Sequence, residues 1–317
     1  MSIKKAVITA AARGERLYPA ADTVQKAMLP IVDRDGLTKP VIQIIAEEAF
    51  SAGIEEICIV CAPGDEERYR TTFETLHANL TKVYKNTAWA KIQTQNIDNL
   101  LNRLHFRVQE ETLGYGHAIL CAQDFVNGEP FLLLLGDHLY ASDLKGKSCA
   151  QQLIEVATTQ EMSVSAVNPT AEFLIHKYGT LNGKLLSNEK EIYEVNRIIE
   201  KPSLSKAETC LHIPSLRMGY YLCIFGMHVL QADIFNILNK QFEVCKKEGK
   251  ELQLTPALQV LAEREAYLAL EVKGRRYDLG IPHGCLQAEL ALGLAGKGKE
   301  EILTKVLRLL AEVQQQP

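Results

Sequence analysis

The strongest constraint on this chain is the rhythm of its N-terminal half. Short apolar runs, KAVITA at 5–10, EEICIVCA at 55–62, HFRVQE at 105–110 and FLLLL at 131–135, alternate with segments of helical character. VIQIIAEEAFSAG at 41–53 repeats its apolar side chains on one helical face and ends at Gly53, and GHAILCAQDF at 116–125 reads as a second helix. Buried runs separated by amphipathic helices predict a mainly parallel sheet with helices on both faces. Residues 64–104 are polar and helix-prone and carry no clean strand, so they read as an insertion.

The C-terminal half mixes its elements. MSVSAVNP at 162–169, YGTLNG at 178–183, EIYEVNRIIEKP at 191–202 and LRMGYYLCIFGMHVL at 216–230 read as strands, and segments 232–247 and 252–265 as helices. The tail from 282 onward is helical, with Ile302, Leu303, Val306, Leu309, Leu310 and Val313 on one stripe. That stripe packs either on its own domain or on a second subunit. The expected division is an α/β domain over 1–281 and a helical extension over 282–317.

A chain of 317 residues that is 47% hydrophobic can bury a large core. Its net charge of −4 argues against nucleic-acid and membrane-surface partners, although a local cluster of Lys and Arg still suits a small anion. The apolar run before Arg13 is too short for a secretory segment, and no stretch approaches a membrane span, so the expected location is cytoplasmic. Of eight cysteines only Cys58 and Cys61 lie close together. On a strand they face opposite ways, so reduced, buried thiols are expected rather than half of a zinc site.

Two aspartates lie near the ends of apolar runs, Asp137 in FLLLLGDH and Asp278 in YLALEVKGRRYDLG. Open α/β sheets bind ligands at the carboxyl ends of their strands, and two carboxylates brought together there can hold a hard cation such as Mg²⁺. Each Asp alone reads equally as a turn or a cap. AAARGERLYP at 10–19 follows the first strand, where a tight turn can aim N–H groups at phosphates, and Arg13, Arg16 and Lys26 add positive charge. Neither G-x-x-x-x-G-K-[ST] nor G-x-G-x-x-G occurs, so a Walker loop and a dinucleotide-binding fingerprint are both excluded. Gln109 offers a donor and an acceptor to a base edge, and Gly114 and Gly116 bracket Tyr115 just before a helix. In IIEKP, Pro202 ends the strand, so Glu200 and Lys201 can reach one pocket although neighbours on a strand alternate.

Eight motifs in series carry a resemblance: the small-residue loop with Gly and Arg, K-x-M-L-P, Q-x₄-G-x-G-H-A, strand-G-D, Y-G, E-K-P, Q-L-T and a late Asp-x-Gly. From about Lys4 to Leu290 the chain resembles the sugar-phosphate nucleotidyltransferases, above all the bacterial UTP–glucose-1-phosphate uridylyltransferases. The resemblance implies a Rossmann-like, mixed and mainly parallel twisted sheet of the nucleotide-diphospho-sugar transferase type. It implies a uridylyl transfer from UTP to a sugar 1-phosphate, assisted by Mg²⁺, in a homodimer or homotetramer. Ala10, Ala11, Ala12, Arg13 and Gly14 would wrap the nucleotide, with Arg16 and Lys26 on its triphosphate. Gln109 and Gly114 would face uracil, and Asp137 and Asp278 would hold the metal. Gly179 and Glu200 would contact sugar hydroxyls, Lys201 the sugar phosphate, and residues 251–255 would shape the pocket wall.

The chemistry of the residues agrees with this. A phosphate oxygen is already an anionic nucleophile near neutral pH, so no general base is required, and the reaction asks for positive charge and alignment. The sequence departs from the family pattern at Ala12 for Gly, Glu15 for Thr, Ala27 for a polar residue or Pro, and Gly136 for the Pro usual before Asp137 in the uridylyl group. Glu15 is the consequential one: a carboxylate about 4–6 Å from a phosphate charge repels it by roughly 3–4 kcal/mol at an effective dielectric near 20. A second reading therefore stands beside the enzyme, a weakly active or inactive paralogue that binds nucleotide sugars as a sensor. The same chemistry with dTTP or another sugar is a third.

Overall fold

The computed structural model describes residues 1–12, 14, 17, 23–187, 191–264 and 267–314. The chain opens with strand β1 (Lys5–Thr9), then β2 (Pro30–Val32), β3 (Thr38–Pro40), helix α1 (Val41–Ser51) and β4 (Glu56–Cys61). A helix pair, α2 (Asp65–Val83) and α3 (Ala88–Arg103), leads to β5 (Leu104–Val108), α4 (Tyr115–Leu120), α5 (Gln123–Val126), β6 (Phe131–Leu135), β7 (His138–Ser142) and α6 (Cys149–Gln160). The C-terminal half holds β8 (Ser163–Ala171), β9 (Thr180–Ser187), β10 (Ile192–Ile199), α7 (Leu204–Cys210) and β11 (Tyr220–Leu230). It ends with α8 (Ile234–Glu248), α9 (Thr255–Glu263), β12 (Tyr267–Glu271), β13 (Gly274–Asp278), α10 (Gly284–Ala295) and α11 (Lys299–Gln314).

Nine strands form one sheet in the order β5-β4-β1-β6-β11-β8-β12-β10-β9. β1 runs parallel to β4 and β6, β5 to β4, and β12 to β8. β11 is antiparallel to β6 and β8, and β10 to β12 and β9. Two strands, β10 and β11, thus oppose the other seven, and the mixed, mainly parallel sheet expected from the sequence is what forms. Period-two alternation gives it two cores. On β1, Ala6 and Ile8 join Leu132 and Leu134 on one face, while Val7 joins Phe131 and Leu133 on the other. Cys58 and Cys61 divide in the same way, and burial pushes both thiols up to about 12. All eight cysteines are free.

Local chemistry fixes the helix ends. Ser148 caps α6 by accepting the Gln151 N–H at 3.2 Å, while the Gln151 side chain accepts the Ser148 N–H at 2.7 Å. Asp65, Glu66 and Glu67 fill the first turn of α2, where the helix dipole favours negative charge. The helical insertion read over 64–104 is this α2–α3 pair, packed on the sheet through Tyr69, Phe73 and Leu100.

Two segments differ from expectation. The helix read over 116–125 is two short ones, α4 and α5, parted by a turn at Cys121–Ala122. The run 267–280 is not one strand approaching the site. It bends at Val272–Lys273, where the Asn168 side chain donates to the Val272 carbonyl at 3.0 Å, and splits into β12 of the large sheet and β13 of a two-stranded sheet with β7. Asp278 therefore ends a small outlying strand rather than a central one. At the C-terminus α10 packs on β2, β7 and β13, and Ile302 of α11 packs over Gly293 of α10. Of the sequence stripe, Ile302 and Val306 are half-buried, whereas Leu303, Leu309, Leu310 and Val313 are exposed.

Candidate active site

The carboxyl ends of β1, β4, β5 and β6 open into one cavity of about 1120 Å³, entered by Ala11 and Ala12 after β1, Pro63 after β4, Gln109 after β5 and Asp137 after β6. This is the edge at which parallel strands present loops and side chains to ligands. A drug-sized ligand fills about 300–1,000 Å³, so the space suits two substrates side by side.

The loops after β1 and β6 meet because both are small. The Gly136 N–H donates to the Thr9 carbonyl at 2.9 Å, and a Cβ on Gly136 would lie 2.8 Å from the Cβ of Ala10. Any larger residue before Asp137 would push these loops apart. Asp137 sits in the turn between β6 and β7. β7 then pairs antiparallel with β13, setting His138 opposite Asp278, and the Leu279 N–H donates to the Asp137 carbonyl at 2.9 Å. The two carboxylates thus come together through a ladder that joins residues distant in sequence.

Asp137 Oδ1 lies 2.8 Å from His138 Nδ1, and Asp137 Oδ2 accepts from Lys26 Nζ at 2.9 Å. Burial opposes the charge on Asp137, but the His138 hydrogen bond and the Lys26 charge outweigh it and hold the carboxyl well below its ordinary range. Ligand atoms of Asp137, His138 and Asp278 lie within 4.8 Å of one another, as a metal ion requires. Two carboxylates give the hard oxygen donors a divalent cation prefers, and the imidazole adds a nitrogen. The residues present fit such an ion. Charge argues the same way: among the described lining residues, six carboxylates face only four cations, Lys26, Lys177, Lys201 and Arg276.

The opposite wall is built from β9, β10 and the start of α9. Lys201 has φ +45, a left-handed backbone that breaks strand alternation before Pro202, and its N–H donates to the Tyr178 carbonyl at 3.1 Å. Both Glu200 and Lys201 consequently line the cavity. Glu200 Oε2 accepts from Thr255 Oγ1 at 2.6 Å, and Glu200 Oε1 lies 3.7 Å from Lys201 Nζ. Gly179 sits beside the Glu200 carboxylate, tied to β11 by its carbonyl accepting the Ile224 N–H at 2.8 Å. Gln109 donates from Nε2 to the Gly114 carbonyl at 3.1 Å and lies 3.1 Å from His117 Nδ1. Gly114 faces the Leu252 backbone, and Gly116 donates to the Leu252 carbonyl at 2.8 Å, so residues 251–255 are laced to this loop.

Of the sequence-derived site residues, Ala11, Ala12, Gly14, Lys26, Gln109, Asp137, Gly179, Glu200, Lys201 and Asp278 line this one cavity, with Ala10 and Gly114 immediately behind it. Arg13, Glu15 and Arg16 lie outside the described residues. Ala27 is buried in the core, so the departure there does not reach the cavity. Among the lining residues to which the sequence reading gave no role in the site are His138, Arg276 and His228, and Tyr178 entered it only as part of the Y-G motif. The Arg276 guanidinium stacks 3.9 Å from the Tyr178 ring centroid and donates to the Ile224 carbonyl. A His directly after the Asp was the one available signal for His138. Nothing local marks Arg276 or His228.

The family model described as nucleotidyl transferase matches residues 5–293. The chain belongs to that family. It is 35% identical to UTP–glucose-1-phosphate uridylyltransferase YngB of Bacillus subtilis, over 98% of this chain and 95% of that one. A uridylyltransferase of Staphylococcus saprophyticus is 34% identical over 97% of this chain and 99% of its own. Among solved structures, a UDP-glucose pyrophosphorylase complexed with UDP-glucose superposes with a TM-score of 0.72 at 31% identity, covering 92% of this chain and 98% of that one. The resemblance read from the eight motifs is borne out, and a nucleotidyl transferase fold accounts for the position of the cavity.

Proposed function

We propose that this chain transfers the uridylyl group of UTP to glucose 1-phosphate, giving UDP-glucose and pyrophosphate. The observation that carries this reading is the pairing of Asp137 and Asp278 at one end of a cavity whose other end presents Glu200 and Lys201. The relatives named for that reaction and the UDP-glucose complex supply the base and the sugar.

An oxygen of the sugar phosphate attacks the α-phosphorus of UTP, a new P–O bond forms, and the bond to the β-phosphate breaks as pyrophosphate leaves. The loop of Ala10, Ala11, Ala12, Arg13 and Gly14 holds the nucleotide, with Arg16 and Lys26 on the triphosphate. Gln109 and Gly114 orient uracil. Gly179 and Glu200 bind sugar hydroxyls, and Lys201 holds the sugar phosphate in line. Asp137 and Asp278 would hold Mg²⁺, which when bound would supply positive charge to offset that developing on the triphosphate. No proton has to be taken from the nucleophile, because a phosphate oxygen is already anionic near neutral pH.

The domain division we adopt is the α/β domain over 1–281, with its insertion at 64–104, and the extension over 282–317. Exposed Leu303, Leu309, Leu310 and Val313 support a homodimer or homotetramer. Eight free cysteines suit the cytoplasm, and no helix among the described residues is long and apolar enough to cross a membrane. The reading is tested by incubating the protein with UTP, glucose 1-phosphate and Mg²⁺ and resolving UDP-glucose by ion-exchange chromatography. Product that the Asp137→Asn variant fails to make is expected; equal product from that variant contradicts the site.

A further inference from the structure

We propose that Lys26 is the resident counter-ion of the metal site, and that a divalent cation entering the site displaces its ammonium from Asp137 onto the triphosphate. This rests on the reading that Asp137 and Asp278 hold the cation. Three observations carry it.

The first is where the ammonium sits. A Cβ on Gly280 would lie 2.9 Å from Asp137 Oδ2, 3.1 Å from Asp278 Oδ1 and 3.2 Å from Lys26 Nζ, so the ammonium lies among the donors themselves. The second is how fully Asp137 is engaged. His138 Nδ1 is on its Oδ1 at 2.8 Å and Lys26 on its Oδ2 at 2.9 Å, and the Lys26 side chain is only 11% exposed. The third is the path of the stem. A Cβ on Gly14 would collide with Lys26 Cε, so the end of the Lys26 side chain lies against the loop read as the phosphate binder. The ammonium therefore stands between that loop and the carboxylates.

Two carboxylates carry −2 and match a divalent cation, but with Lys26 among them the site carries only −1. A cation and an ammonium on one carboxylate repel strongly, and partial burial limits screening by salt. A lysine on its flexible stem can change partners by rotating its terminal torsions, which a planar guanidinium cannot do so freely. Lys26 thereby offsets half of the carboxylate charge in the metal-free site and makes loading of the metal and of the nucleotide reciprocal.

The test is calorimetric titration of Mn²⁺ alone into the full chain, without nucleotide. Lys26→Met and Lys26→Gln are expected to bind Mn²⁺ about tenfold more tightly than the unaltered protein, because both remove the competing charge. Lys201→Met, which removes a cavity lysine that is not on Asp137, is expected to change that affinity less than about threefold. Equal or weaker Mn²⁺ binding in both Lys26 variants overturns the proposal, as does an equal gain in Lys201→Met. Unchanged Mn²⁺ binding in Asp137→Asn overturns instead the metal-site reading beneath it. The displacement onto phosphate is read from UTP binding with the metal chelated. Asp137→Asn releases Lys26 and is expected to tighten metal-free UTP by about tenfold, and the gain is expected to vanish in the Lys26→Met/Asp137→Asn double variant. A gain that persists there overturns the second half of the proposal.

Discussion

Asp137 shows how one side chain comes to be poised. Its carboxylate is taken partly out of water, which alone would raise its pKa, yet His138 and Lys26 hold it ionised. The stabilisation this gives is complete above the ordinary carboxylate pKa and is lost as pH falls through the lowered value. Asp137→Asn keeps the shape but removes the charge, and kcat is expected to fall about 10³-fold with the fold intact, checked by steady-state kinetics and circular dichroism. Lys201→Ala is expected to lower kcat/KM for the sugar phosphate about 10²-fold while UTP binding, read by calorimetry, stays within about threefold. Gly280→Ala is a steric probe of the same point. Its methyl would press on Asp137 Oδ2 and Asp278 Oδ1. Turnover is expected to drop at least about tenfold with little change in melting temperature. Residues such as Gln109, Asp137 and Glu200 were legible because each sits next to the end of an apolar run. His138 and Arg276 were not, because their placement depends on a ladder between β7 and β13 that no local pattern announces.

At the scale of elements, the strands followed their hydrophobic pattern closely, since a run such as FLLLL admits little beside a buried strand. The misreadings fell where breaks lack a Gly or Pro at the break itself, at Cys121–Ala122 and at Val272–Lys273. The second hid how Asp278 reaches the site. β11 carries a different surprise: a register shift between Ile224 and His228 around Gly226, beside a buried polar chain. Tyr267 donates to Ser165 Oγ at 2.6 Å, and Ser165 meets His228 Nδ1. Burial lowers the His228 pKa to about 3. Below pH 6.5 the unfolded chain binds a proton that the folded chain refuses, so this site costs stability as pH falls from 6.5 towards 3. Urea unfolding at pH 7 and pH 5 is expected to show the protein losing about 1–2 kcal/mol more than His228→Gln over that interval. Equal losses would mean that His228 is not held neutral.

For the whole molecule, the nine-stranded sheet makes the cavity a property of topology. Four parallel strand ends supply one wall of the cavity, and the reversed strands β10 and β11 help build the opposite wall. The family relation explains why that division was legible from eight short motifs, each weak alone, in one order. The outer face of α11 stays apolar, with Leu309 at 60% and Val313 at 66% exposure. The homodimer or homotetramer proposed above predicts that light scattering gives a multiple of the chain mass for the full chain and a single chain mass after truncation at Gly298; a single chain mass for the full chain would contradict it. The central claim is tested most directly by pyrophosphate release from the purified protein with glucose 1-phosphate, comparing UTP, dTTP, CTP, ATP and GTP with and without Mg²⁺. Release with UTP that vanishes without Mg²⁺ is the predicted result, and no release from any of the five nucleotides would contradict the account.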